Sequence, residues 1–327
     1  MEKTFIVTGG TGYLGSTLLQ KLVDMDSRVR ALKLPSEEVK KELLDKIEFI
    51  EGNVCDKSSL EELFNVEGNT SVIHCAGMVS IRSSNSPLVR QVNVEGTKNM
   101  LDISKEHGVS KFIYVSSVHA IPEKKNGEMI TEVKDFDAKK VTGHYAKTKA
   151  EATSYVLNST LNTSVVHPSG IIGPGNYQSY LSNMIMEYCK GKLRVSINGG
   201  YDFVDVRDVV DGIISCEQKG KDKECYILSN RYYSIKEIMD TLSELENIPK
   251  VKTVLPLWLA KCVSPFAEGY YLSRKESPIF TPYSMYTLGS NSNFSHQKAT
   301  EELDYHPREL KLSLKDSIDW LRKNNKM

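Results

Sequence analysis

The chain has 327 residues, with 42 basic and 42 acidic side chains and therefore no net formal charge. That length suits one large α/β unit with a smaller lobe, and without a basic stripe or Lys/Arg block nucleic acid is not an expected partner. Six cysteines, at 55, 75, 189, 216, 225 and 262, form no C-x-x-C or Cys/His cluster, so a reduced, cytoplasmic protein with no metal site is expected.

Lys3 to Thr8 is an apolar, β-branched run that reads as a buried strand, which leaves no room for a signal peptide. Gly9-Gly10-Thr11-Gly12-Tyr13-Leu14-Gly15 follows at once, then a helix-like Ser16 to Val23. Strand, glycine turn and helix make the context a dinucleotide site needs: the glycines allow a tight turn and let backbone approach a pyrophosphate at the helix N-terminus. The spacing Gly9, Gly12, Gly15 departs from the usual G-x-G-x-x-G, and an ordinary glycine-rich βα turn would look similar.

Strands are then expected at Val29 to Lys33, Ile47 to Glu51, Ser71 to Cys75, Phe112 to Ser116 and Thr163 to His167. Helices are expected at Pro35 to Asp45, Ser58 to Phe64, Leu88 to His107 and Gly143 to Leu157. This alternation predicts a Rossmann-type, doubly wound parallel sheet, whose ligands sit beyond the strands' C-terminal ends. Ser116-Ser117 lies at such an end. Tyr145 and Lys149, four apart, share one helix face, as many solvated helix faces also do. An ammonium beside the phenol would pull its pKa down from about 10, towards a group that exchanges a proton with a carbonyl or alcohol oxygen.

After Pro168 the pattern is less regular. Helices are expected at Tyr180 to Gly191 and Val206 to Cys216, with a last strand at Glu224 to Leu228. The predicted division is a cofactor domain over 1–167, with 203–230 returning to it, and a mainly substrate-binding lobe over 168–327. The lobe is aromatic: Trp258, Tyr270, Tyr271, Phe280 and Tyr283 are its conspicuous rings, most for its own core and a minority for an apolar pocket. No apolar run is long enough to span a bilayer, so no membrane partner is expected. A small-molecule substrate and a monomer or homodimer are expected.

Thr8 to Gly15, the set Ser117, Tyr145 and Lys149, and Phe203-Val204-Asp205-Val206-Arg207-Asp208-Val209 together resemble the extended short-chain dehydrogenase/reductases, the NAD-dependent epimerase/dehydratase superfamily. Asn53 to Asp56, His74 to Gly77, Asn93 to Asn99, Pro168 to Gly175 and a helix at Leu314 to Leu321 extend the resemblance over nearly the whole chain. It implies catalytic roles for Ser117, Tyr145 and Lys149. It also implies cofactor contacts at Gly9, Thr11, Gly12, Tyr13, Leu14, Val54, Asp56, Ala76, Gly77, Asn93, Ser116, Tyr145, Lys149, Pro168, Gly170 and Ile171. Asp56 would meet the adenine edge, Ala76-Gly77 would pass beneath the nicotinamide-side ribose, and Asp208 would be structural.

Lys33 stands at the end of the second predicted strand, where NAD-specific sites carry an acid, so NADP is expected, with NAD possible. The family's dehydratases carry Asp-Glu after the catalytic hydroxyl residue, whereas Val118-His119 follow Ser117. Its epimerases commonly place Arg before Asp-Phe, whereas Tyr201 precedes Asp202-Phe203. The expected activity is therefore hydride transfer between NADPH and a bulky hydrophobic carbonyl or alcohol, nearest to members like dihydroflavonol reductases and 3β-hydroxysteroid dehydrogenases. A nucleotide-sugar epimerase or dehydratase, and a non-catalytic NADP-binding sensor or scaffold, remain the alternatives. His119 is either a substrate contact or a neutral wall residue.

Overall fold

The computed structural model describes residues 3–80, 86–176, 180–274 and 281–327. Among these, the strands in chain order are β1 (Thr4–Thr8), β2 (Arg28–Lys33), β3 (Glu48–Glu51), β4 (Thr70–His74), β5 (Lys111–Val115), β6 (Thr163–Pro168), β7 (Gly170–Ile172), β8 (Val195–Ile197), β9 (Gly200–Asp205), β10 (Glu224–Leu228), β11 (Arg231–Ser234) and β12 (Thr253–Leu255). Seven of them form one sheet in the order β10-β6-β5-β4-β1-β2-β3, every neighbouring pair parallel. The Rossmann-type architecture is thus as the alternation predicts. Chain order reverses between β1 and β4, which opens the crevice where such sheets bind ligands.

Both sheet faces are covered, so the strands are apolar on both sides. In β5, Phe112 and Tyr114 join the core under the helices Gly96–Glu106 and His144–Leu157, while Ile113 and Val115 point to the core shared with Tyr13–Asp24 and Val206–Lys219. Alternation along a strand sends successive side chains to opposite faces. A third core, with Ile185, Ile238, Leu242, Leu314 and Ile318, belongs to the lobe and joins the helices Tyr180–Cys189, Ile235–Glu246 and Leu310–Lys323.

Several expectations need correction. Pro35 to Asp45 is not a continuous helix; only Lys41–Leu44 is helical, because few of its residues have a core to bury against. The segment from Leu88 is helical but broken by a π turn, Gln91–Glu95, between Pro87–Arg90 and Gly96–Glu106. β10 is not the last strand: β11 pairs antiparallel with β9, and β12 parallel with β8. β9 pairs with β7 and β11 outside the main sheet, so residues 203–205 do not rejoin that sheet, although the helix Val206–Lys219 and β10 do. Phe280 lies outside the described residues.

Candidate active site

The glycine turn sits at the point of chain reversal. Gly9 has φ +70°, and a Cβ there would stand 2.7 Å from the Ala76 amide nitrogen, so only glycine lets the ends of β1 and β4 meet. A Cβ on Gly15 would overlap the Gly9 carbonyl oxygen, so the helix can start this close to the turn only without one. Gly12 caps the helix Tyr13–Asp24 with no side-chain hydrogen bond, leaving first-turn N–H groups that favour an anion. This bare-backbone cradle fits a dinucleotide pyrophosphate. Thr11, Tyr13 and Leu14 are half-buried around it. The Tyr13 hydroxyl is buried without a hydrogen bond, and burial together with nearby Asp205 holds its pKa well above the ordinary value.

A buried chain of hydrogen bonds fixes the other wall. Thr8 Oγ1 accepts from Ala76 N (3.2 Å) and lies 2.6 Å from His74 Nδ1. His74 Nε2 then donates to Thr97 Oγ1 (3.1 Å), which donates to Asn93 O (2.8 Å). Burial, with Lys149 nearby, pulls the His74 pKa down to about 3, so the imidazole is neutral and its Nδ1 accepts from Thr8 Oγ1. Asn93 closes the wall: Oδ1 accepts from Met78 N (2.7 Å), while Nδ2 donates to Met78 O (3.0 Å) and Thr148 Oγ1 (3.1 Å). Asn93 is fully buried and clamps the 76–78 segment to the helix carrying Tyr145.

Ser117 and Tyr145 share a hydrogen bond and Lys149 follows one turn along the Tyr145 helix, but the electrostatics differ from expectation. Lys149 Nζ donates to Val115 O (2.8 Å) and Tyr114 Oη (3.3 Å), and burial lowers its pKa to about 8. Tyr145 is raised to about 12 by burial, partly offset by a hydrogen bond with Ser117. The lysine thus does not lower the phenol. Its ammonium is spent on the end of β5, and desolvation dominates both groups. Ser117 caps the short turn Val118–Ala120 by accepting from His119 N (3.2 Å). Its carbonyl accepts from Nδ1 of the buried His167 (2.9 Å), whose ring stacks on Phe136 at 5.2 Å. His167 is an anchor that the sequence reading missed; nothing marks it apart from other strand residues.

His119 lies among tyrosines. Nε2 is 3.1 Å from Tyr201 Oη, Nδ1 is 3.4 Å from Tyr283 Oη, and the Tyr145 ring meets it edge-on at 6.1 Å. Burial lowers its pKa to about 4, so it is neutral near pH 7. Beside it opens a cavity of about 110 Å³ whose lining includes Val118, Ile121, Tyr286 and Phe294, with Glu123 and Lys140 as its charged side chains. Of the rings expected near a pocket, Tyr283 is here, whereas Trp258 and Tyr270 point to solvent and Tyr271 packs edge-on against Tyr270. Tyr201 was legible only as the residue standing where an arginine was sought.

The remaining predicted residues are distributed around this centre. Lys33 is not free: Nζ pairs with Glu51 Oε1 on neighbouring β3 at 2.6 Å. Asp56 caps the 3₁₀ helix Lys57–Phe64, accepting from Ser58 N (3.1 Å) and Ser58 Oγ (2.7 Å). Val54 is buried, and its carbonyl accepts from Asn99 Nδ2 (2.8 Å). Ser116 Oγ shares a 2.7 Å hydrogen bond with Thr153 Oγ1, so the hydroxyl anchors its strand to the Tyr145 helix. Gly77 is exposed beside Lys149. Pro168 ends β6, and Gly170 and Ile171 open β7, which runs parallel to β9. Asp208 accepts from Arg308 N (2.8 Å) and Nε (2.7 Å), a structural pairing.

Residues 5–228 match the pattern of the NAD dependent epimerase/dehydratase family. The chain belongs to that family. Its members are NAD(P)-dependent enzymes, and the match includes the glycine turn and all three of Ser117, Tyr145 and Lys149. The chain is similar to sterol demethylase protein B of Methylococcus capsulatus, 27% identical over 332 residues, which are 98% of each chain. It is also similar to the sterol-4-alpha-carboxylate 3-dehydrogenase, decarboxylating, of Homo sapiens, 27% identical over 93% of this chain and 84% of that one. Among solved structures, gox2253 superposes with a TM-score of 0.85 at 26% identity, covering 99% of both chains. No described helix is long and apolar enough to cross a membrane.

Proposed function

We propose that this family member is an NAD(P)-dependent oxidoreductase that exchanges hydride with the carbonyl or alcohol carbon of a bulky hydrophobic small molecule. The observation that carries the proposal is the pairing of Tyr145 and Ser117 hydroxyls beside an aromatic enclosure, Tyr201, His119 and Tyr283, with no arginine in the adjoining cavity lining. Ring faces beside the two hydroxyls suit an apolar ring system. A diphosphate would call for cations that can bind it in a bidentate manner. The relatives named for sterol dehydrogenation and demethylation agree with this substrate class.

Gly9, Thr11, Gly12, Tyr13, Leu14, Val54, Asp56, Ala76, Gly77, Asn93, Ser116, Pro168, Gly170 and Ile171 are the proposed cofactor-facing residues, with 1–167 and the helix Val206–Lys219 and β10 that return to it forming the cofactor unit, and the rest of 168–327 mainly the substrate lobe. When bound, the nicotinamide supplies or accepts the hydride. The protein's part is position and proton. Ser117 and Tyr145 hold the substrate oxygen, and Tyr145 donates a proton to it in reduction or removes one in oxidation. With burial holding its pKa near 12, the phenol stays protonated near pH 7. Lys149 fixes the helix face against the end of β5, and neutral His119 offers a wall able to donate or accept one hydrogen bond.

NADP is the proposed cofactor form, with a modest preference. Lys33 is the cation at the end of β2, but a 2′-phosphate would have to share it with Glu51. Glu51→Gln should therefore strengthen NADPH binding and Lys33→Asp should weaken it, each by up to roughly tenfold. Calorimetry showing tighter NADH binding to the wild type would overturn the preference.

The deciding experiment for the activity pairs sterols, hydrophobic ketones and aldehydes with NADPH and NADH consumption, beside UDP-glucose, UDP-galactose and dTDP-glucose. Turnover of an apolar carbonyl is expected. Efficient epimerisation or dehydration of a nucleotide sugar would refute the reading.

A further inference from the structure

The helix Leu257–Ser273 turns its apolar face the wrong way for a water-soluble surface. Trp258, Cys262, Phe266 and Tyr270 recur every fourth residue and so share one stripe. All four are exposed, Trp258 by 66%, Phe266 by 80% and Tyr270 by 54%. Val263, next to the stripe, is exposed as well. The opposite face, which packs inward, mixes the buried polar residues Ser264 and Glu268 with the half-buried Leu257, Ala260, Ala267 and Tyr271. A helix at the surface of a water-soluble protein buries its apolar side and exposes its polar one. Here large apolar side chains stand on the exposed side as well.

The charges on this helix select its occupant. Lys261 and Arg274 are exposed at the edges of the stripe, and the Arg274 guanidinium lies 4.8 Å from the centre of the Tyr270 ring. The one acid of the helix, Glu268, is buried on the inner side. Aromatic side chains with a polar edge, flanked by long basic side chains that reach to water, match the boundary between headgroups and acyl chains. The helix is too short and too interrupted to cross, so it would lie in the plane of the boundary.

We propose that this helix is a lipid-docking face that seats the protein on a bilayer carrying anionic headgroups. The neighbouring helix Pro282–Thr287 carries Tyr283 and Tyr286, which bond to His119 and to Glu123 of the candidate site, so the docking face lies one helix away from the aromatic enclosure.

The test is flotation of the full chain with vesicles of phosphatidylcholine alone and of phosphatidylcholine mixed with phosphatidylglycerol. The wild type should float with the mixed vesicles, less with phosphatidylcholine alone, and less again as salt is raised. The double variant Trp258→Ser/Phe266→Ser should lose at least about tenfold in partitioning, because two large apolar groups no longer enter the boundary. Phe266→Ser alone, at the most exposed position, should lose less and keeps the test open should the double variant fold poorly. Lys261→Glu should remove the preference for phosphatidylglycerol. A wild type that stays with neither vesicle, or apolar variants that float like the wild type, overturns the proposal. So does a wild-type dimer in sedimentation that Phe266→Ser converts to monomer without any vesicle binding, since the face would then cover a second copy.

Discussion

Around the sheet, each group of the candidate site is held by the strand ends beside it. In the lobe, Tyr201 and Tyr283 reach His119 across 82 and 164 residues of chain. The first arrangement follows from register. Parallel pairing places Thr8 opposite His74 and Val115 opposite Val166, and the turn, the 76–78 segment and Ser117 emerge from those ends. The second depends on how separate helices and the small sheet come to rest. On the proposed function, the comparison separates a unit that would position proton and cofactor from a wall that would select what approaches them.

The sharpest way to break that separation is Tyr145→Phe. It should lower kcat by ~10²–10⁴-fold while cofactor affinity changes little, because the hydroxyl serves the proton step and the ring keeps the packing. Steady-state kinetics with cofactor titration would read this, and turnover near the wild-type rate would remove Tyr145 from the role.

Asp202 lies on the seam between the two regions. Its Oδ1 accepts from Ser169 Oγ at 2.5 Å and Asn230 N at 3.0 Å, while Oδ2 is buried without a partner. Burial raises its pKa from 3.8 to about 6. Below about pH 4 the carboxyl is protonated in both states. Between about 4 and 6 the unfolded chain releases the proton first, so native stability falls as pH rises, by roughly 3 kcal/mol in all. Asp202→Asn should remove that loss. Urea unfolding from pH 4 to 8 should show the variant more stable than the wild type at pH 7, and parallel curves would sink the claim.

On the sheet side, Gly15→Ala should cost roughly 1–3 kcal/mol and weaken cofactor binding, since the added Cβ must displace the Gly9 carbonyl. Thermal unfolding and calorimetry would measure both. On the lobe side, Tyr283→Phe should be the mildest change, about 1 kcal/mol, expressed in KM for the substrate with cofactor affinity unaltered. An equal loss in cofactor affinity would erase the distinction.

The same division governs what the sequence could disclose. β1, β4, β5 and β6 were readable because a strand covered on both faces must be apolar throughout, and Gly9 because close backbone approach leaves no choice of residue. The shared helix face of Tyr145 and Lys149 was readable from their spacing and their role only from the glycine turn and family resemblance beside it, but not their ionisation, which depends on how thoroughly β5 and its helix exclude water. The pairing of Lys33 with Glu51 was hidden because it joins adjacent strands 18 residues apart. The segment 35–45 looked helical from composition yet had little to pack on. In the lobe, Trp258 and Tyr270 looked like core or pocket, since composition carries no sign of which way a helix face is turned. His119 reads from the sequence as either a substrate contact or a wall residue, and its neighbours Tyr201 and Tyr283 become visible only in the fold.

Gly143 has φ +99°, begins the helix that bears Tyr145, and would drive a Cβ into the Tyr283 ring. It therefore carries two independent locks, one set by its own backbone and one by a residue far along the chain. Altering Tyr283 opens the second lock and leaves the first shut. Lineages that diverge in what they accept should accordingly drift at position 283 while keeping glycine at 143. On the proposed function, the substrate wall can then be rewritten without disturbing the residue on which Tyr145 is mounted.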